Sequence, residues 1–142
     1  MKLLFLDFDG VLHPNFSKPT EYFSRVDALM EVVDTRITEL NVIISSSWRF
    51  HHSYEELLAK LPESLRLIVK GVTPQVGPGQ YQRHREIHAY LRRNRSTPDW
   101  RALDDDLREF PKGCRELIAC DGRVGVAEES ANQLRDWLDV GD

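Results

Sequence analysis

The sequence is poor in cysteine, lacks any long apolar run and has no excess of positive charge. Its 142 residues hold two cysteines, Cys114 and Cys120, with five residues between them and no cysteine or histidine partners at zinc-finger spacing. That argues against a disulfide framework or a structural zinc site and for a pair of reduced thiols. The opening apolar stretch, Leu3 to Leu6, is four residues long before Asp7 interrupts it. This is too short for a signal-peptide core and far too short to cross a bilayer, so a cytoplasmic protein with no membrane partner is expected. Lys plus Arg number 19 against 23 Asp plus Glu, a net charge of −4. Such a balance argues against coating nucleic acid through bulk charge, although it leaves room for a local basic face. No internal repeat or low-complexity segment occurs, and 41% apolar with 30% charged residues is ordinary globular composition. A chain of this length supports one core, so residues 1–142 are read as a single domain.

What is present is an alternation of short apolar runs and helical patterns. Lys2–Leu6 and Asn41–Ile44 are continuously apolar after their first residue, Arg66–Val69 ends at Lys70-Gly71, and weaker runs follow at Trp100–Leu103 and Glu116–Cys120. Continuous rather than alternating runs are the mark of strands covered on both faces in a parallel sheet. Between them, Val26, Leu29, Met30, Val33 and Ile37 recur at helical spacing, as do Tyr54, Leu57, Leu58 and Leu61, then Ile87, Tyr90 and Leu91, then Ala131, Leu134 and Leu138. The order predicts a three-layer α/β/α sandwich, Rossmann-like, around a mostly parallel five-stranded sheet. In such sheets ligands bind outside the carboxyl ends of the strands. Gly71 to Gln80, rich in Gly and Pro, is read as a connecting loop near that edge.

The polar residues that end the strands are therefore the candidate site. Asp7 and Asp9, in Asp7-Phe8-Asp9-Gly10, point to the same side of extended backbone. Two such carboxylates raise each other's pKa unless a cation neutralises them; the pair either binds a divalent metal or divides into nucleophile and acid/base. Ser45, Ser46 and Ser47 follow the second run, where serines either cap a helix or donate to a ligand. Arg83 and Arg85 precede a helical segment, and Asp104, Asp105 and Asp106 follow the fourth run. Three adjacent carboxylates repel one another without a cation, or else form a solvated loop or helix start.

An apolar strand followed by Asp-Phe-Asp-Gly-Val-Leu resembles the first motif of the haloacid dehalogenase (HAD) superfamily, whose members are mostly magnesium-dependent phosphatases. The string Ser45-Ser46-Ser47-Trp48-Arg49 resembles a small branch of it associated with RNA-repair modules. The resemblance implies Asp7 as the nucleophile that becomes an aspartyl phosphate and Asp9 as general acid and then base. It implies Ser45, Ser46, Arg49 and Arg83 as phosphate ligands, the choice of Arg83 over Arg85 resting on the family pattern of Arg, two spacers, then Glu-Ile. It further implies Mg²⁺ held by Asp7, the backbone carbonyl of Asp9, Asp104 and Asp105, with Asp106 as the alternative if the strand slips by one residue. Dehalogenases of the superfamily lack the second Asp and transporting ATPases carry Thr there, so Asp9 points to phosphate ester hydrolysis. The gaps between motifs leave no room for a cap domain, which implies an open site for a phosphorylated small molecule or nucleic-acid end.

The competing reading is a non-catalytic or partner-dependent module that binds phosphorylated nucleic-acid ends. From Arg83 to Arg101 six arginines face two acids, a local excess hidden by the acidic whole. His13 is expected as a solvated loop histidine, Trp48 and Trp100 as packing residues beside motifs, and Trp137 as core.

Overall fold

The computed structural model of the chain describes residues 1–95 and 98–141. Five parallel strands run in the order β3-β2-β1-β4-β5. They are β1 (Lys2–Leu6), β2 (Leu40–Ile44), β3 (Val69–Val72), β4 (Trp100–Asp104) and β5 (Leu117–Ala119). The helices are α1 (Val26–Val33), α2 (Tyr54–Ala59), α3 (Glu63–Arg66), α4 (Gln82–Arg93) and α5 (Glu128–Asp139). The sheet grows outward from β1 in one direction through β2 and β3, then in the other through β4 and β5, so the switch point lies between β1 and β4. That is where an open α/β sheet forms its ligand crevice.

β1 is buried along its whole length, and its side chains alternate between two cores. Leu4 and Leu6 pack with Leu29, Val33, Leu134 and Leu138 of α1 and α5, while Leu3 and Phe5 meet Ile87 and Leu91 of α4. Three layers follow directly from this alternation. Each fully buried side chain of this kind stabilises the fold by about 1.5–3 kcal/mol, which fixes β1 at the centre and with it the position of Asp7. Lys2 is buried, and its Nζ donates to the carbonyls of Trp137, at 2.5 Å, and of Val140, capping the end of α5. Among the described residues no cap domain stands over the sheet edge, and no helix is long and apolar enough to cross a membrane.

β3 begins three residues later than the apolar run suggests. Pro62 opens a helical turn over Glu63–Arg66 that buries Leu65 and leaves Leu67 exposed, so Arg66 and Leu67 are spent before the strand starts. Gly71 and Val72, expected in the loop, complete the strand instead. α1 is shorter than its periodicity suggests and passes into 3₁₀ turns over Asp34–Glu39.

Candidate active site

The site forms where β1, β2 and β4 end side by side. Asp7 is buried directly after β1 and its Oδ1 accepts from the Phe8 N–H at 2.8 Å. Asp104, the last residue of β4, is also buried, and its Oδ1 accepts from the Asp106 N–H at 3.0 Å. Asp105 Oδ2 accepts from Asn15 Nδ2 at 2.7 Å. Asp7, Asp104 and Asp105 each present an oxygen within 4.8 Å of the others. Two glycines allow this approach: a Cβ on Gly10 (φ +78°) or on Gly122 would overlap the Asp105 carboxylate.

Crowding and burial oppose ionisation here. Asp7 is pushed well above the usual carboxylate range by burial and by Asp104, with Arg83 pulling the other way. Asp104 is pushed up to about 6 by burial, again against Arg83. Arg83, at the start of α4, reaches between them: its Nη1 lies 2.8 Å from Asp104 Oδ2 and 3.3 Å from Asp7 Oδ1. Burial works to lower the Arg83 pKa, but the surrounding carboxylates outweigh it and raise the value. Arg85, the other candidate, turns away to the carbonyls of Gln80 and Gly77. Asp106 borders the recess but is not in the cluster: its side chain caps the 3₁₀ turn at Leu107–Glu109 and pairs with Arg108. One guanidinium against three clustered carboxylates leaves negative charge, and an all-oxygen donor set of this kind fits a hard divalent cation such as Mg²⁺.

Asp9 stands apart from the cluster with its side chain half exposed. Its Oδ1 accepts two hydrogen bonds, from His13 Nε2 at 2.7 Å and from Trp48 Nε1 at 3.0 Å. His13 is buried rather than solvated, because the turn at Phe8–His13 folds the chain back on itself. Its Nδ1 accepts from the Phe23 N–H at 3.2 Å, which places the ring proton on Nε2, facing Asp9. Trp48 packs against Phe8 and Phe23 as expected of a packing residue, but its indole N–H has this second task. Neither hydrogen bond to Asp9 is read from the sequence, where His13 is expected in solvent and Trp48 in packing; the i,i+4 spacing of Asp9 and His13 is the one local signal.

The serines and Arg49 are placed differently from Arg83. Ser45 is buried at the end of β2, and its Oγ has no hydrogen-bond partner among the described residues. Ser46 Oγ accepts from the Trp48 N–H, and its carbonyl accepts from Arg49 Nη1. Arg49 also donates through Nε to the Thr73 carbonyl and forms an ion pair with Glu86 at 2.8 Å, both side chains being almost wholly buried. Neither Ser45, Ser46 nor Arg49 lines the open recess of about 550 Å³ over the cluster, whose walls include Asp7, Asp9, Asn15, Ser47, Arg83 and Asp104.

A buried carboxylate after β1, a basic residue opening α4 and an acidic pair after β4 meet at one crevice, with a serine buried behind it at the end of β2, the arrangement expected of a HAD-type domain. The family model described as the HAD domain in Swiss Army Knife RNA repair proteins matches residues 3–131. The chain belongs to that family. Comparison with curated proteins and with solved structures gave no match.

Proposed function

We propose that the chain is a magnesium-dependent phosphatase that hydrolyses phosphate monoesters through an aspartyl phosphate on Asp7. The observation that carries the reading is the division of labour between two carboxylates two residues apart. Asp7 is buried against Arg83 and the acidic cluster, whereas Asp9 is turned out of that cluster by His13 and Trp48. Environments that differ so sharply are what separates a nucleophile from an acid/base group.

In the first half-reaction an Asp7 oxygen attacks phosphorus as the ester P–O bond breaks, and Asp9 gives its proton to the departing oxygen. In the second, Asp9 takes a proton from water as that water attacks phosphorus, and the P–O bond to Asp7 breaks to release inorganic phosphate. With Oδ1 of Asp9 occupied by two donors, the shuttled proton rides on Oδ2. Arg83 steadies the phosphoryl oxygens, with Ser45, set behind the recess wall and without a hydrogen-bond partner among the described residues, as a further donor at the end of β2. Ser46 and Arg49 act behind them, holding the 47–50 turn and the start of α4. Asp7, Asp104, Asp105 and the Asp9 carbonyl would hold Mg²⁺, which offsets charge on the transferring group when bound.

The test is hydrolysis of p-nitrophenyl phosphate by purified protein in magnesium and in EDTA. Turnover is expected in magnesium alone, with Asp7→Asn slower by about 10³-fold or more. Equal activity in Asp7→Asn sinks the mechanism.

A further inference from the structure

A second recess opens on the other side of Asp9. It encloses about 550 Å³ and shares Asp9 and Ser47 with the acidic recess, so the two meet at the acid/base residue. Its floor is Trp48, on which the His52 ring lies stacked, with centroids 5.2 Å apart and planes 27° from parallel. Tyr22 stands edge-on to the same indole at 5.1 Å, and Lys60 reaches over it with Nζ 5.7 Å from the ring centre. His51 completes the wall. Apart from Asp9, no acidic side chain lines this recess among the described residues. Glu56, one turn before Lys60, is turned to the Ser53 N–H at the start of α2.

The two recesses thus have opposite chemistry: one is crowded with carboxylates, the other is aromatic and cationic. A group that protonates a leaving oxygen must touch both the phosphoryl group and what departs from it. The phosphoryl group belongs with Asp7 and Arg83, which leaves the Trp48 side of Asp9 for the leaving group. Aromatic faces with a cation beside them suit a planar base and a second phosphate along a single strand.

We infer that the Trp48–His52–Lys60 recess is the leaving-group subsite and that it takes a nucleotide at the phosphorylated end of a single-stranded oligonucleotide. This rests on the phosphatase reading for the placement of the scissile phosphate. The base stacks in the recess at His52 and Trp48, and Lys60 contacts the next backbone phosphate.

The experiment compares kcat/KM for a terminally phosphorylated RNA oligonucleotide with kcat/KM for p-nitrophenyl phosphate, in wild type, Lys60→Ala, His52→Ala and Phe16→Ala. The ratio of the two is expected to fall about fivefold or more in Lys60→Ala and in His52→Ala. An unchanged ratio overturns the subsite while leaving the phosphatase reading standing. A fall confined to Phe16→Ala, whose exposed ring borders the acidic recess, puts the leaving group on the opposite wall and also overturns it. Anisotropy of the labelled oligonucleotide in EDTA reads the recess without turnover. There Lys60→Ala should weaken binding and lower the slope of log K against log salt by about 0.7. Unchanged affinity and slope overturn the subsite even if no ester is hydrolysed.

Discussion

His13 and Trp48 together occupy one carboxylate oxygen of Asp9 and leave the other free. The His13 Nδ1 is committed to the Phe23 N–H, so Nε2–H must point at Asp9 Oδ1, where the Trp48 indole also donates. Replacing His13 by Ala frees the Asp9 carboxylate to rotate and lose that bias. The expected result is a fall in kcat of about 10- to 100-fold on an alkyl phosphate, whose leaving oxygen needs a proton. On p-nitrophenyl phosphate, whose leaving group departs readily as the anion, the loss should be much smaller. His13→Gln, which keeps a donor, should recover part of the difference. Equal losses on both substrates would assign His13 to folding alone. In the sequence His13 reads as a loop residue, because nothing local says that the chain after Gly10 turns back and buries it. The places of Asp7, Ser45 and Asp104 were legible for the opposite reason: the first two follow continuous apolar runs and the third a weaker one, and the end of a buried parallel strand is a fixed place in the fold.

At the scale of elements, α4 is held to the sheet by two different means. Its middle packs Ile87 and Leu91 against Leu3, Phe5 and Ala102, while its N-terminal half is tied by charge: Arg83 to Asp104, and Glu86 to Arg49. Glu86→Ala leaves Arg49 buried without its counter-charge and should cost about 3–5 kcal/mol in urea unfolding. Adding Arg49→Met, which removes the stranded charge, should recover most of that loss. If the double variant is no more stable than Glu86→Ala, the ion pair is not what is being lost. This pair could not be read from the sequence, since Arg and Glu are ordinarily surface residues and the two lie on separate elements. The slip in β3 has a different, local origin. Arg66 to Val69 has the composition of a strand, but the turn opened at Pro62 takes Arg66 and Leu67 into a helix end before the strand begins.

Over the whole molecule, the acidic balance of the composition resolves into a buried carboxylate cluster at one end of the sheet, with an arginine-rich stretch beginning on α4. The cluster makes stability depend on pH in a particular direction. Asp7 and Asp104 are raised, so the metal-free folded state binds more protons than the unfolded chain between the ordinary value of 3.8 and, for Asp104, about 6. From these groups unfolding free energy falls as pH rises through that window, and the Asp104 contribution levels off above it. Thermal melts in EDTA from about pH 4.5 to about pH 7.5 should show this fall in the wild type and a weaker one in Asp104→Asn. Magnesium should raise the melting temperature at the upper end by binding only the folded state. Parallel curves for the two proteins would contradict the assignment. The strand order came only from the fold, but the three layers and the parallel sheet were legible because the apolar runs are continuous, as strands covered on both faces require, and the lack of a cap among the described residues because the gaps between motifs are short. The second recess was not, because Tyr22, Trp48, His52 and Lys60 come from separate segments that only the folded chain brings together. The most direct test of the account is to identify the residue that carries the phosphoryl group during turnover. Acid quenching followed by borohydride reduction, which converts an acyl phosphate to an alcohol, should yield homoserine at position 7 by peptide mass spectrometry. Steady hydrolysis with the label at another residue, or with none at all, would contradict a covalent mechanism through Asp7.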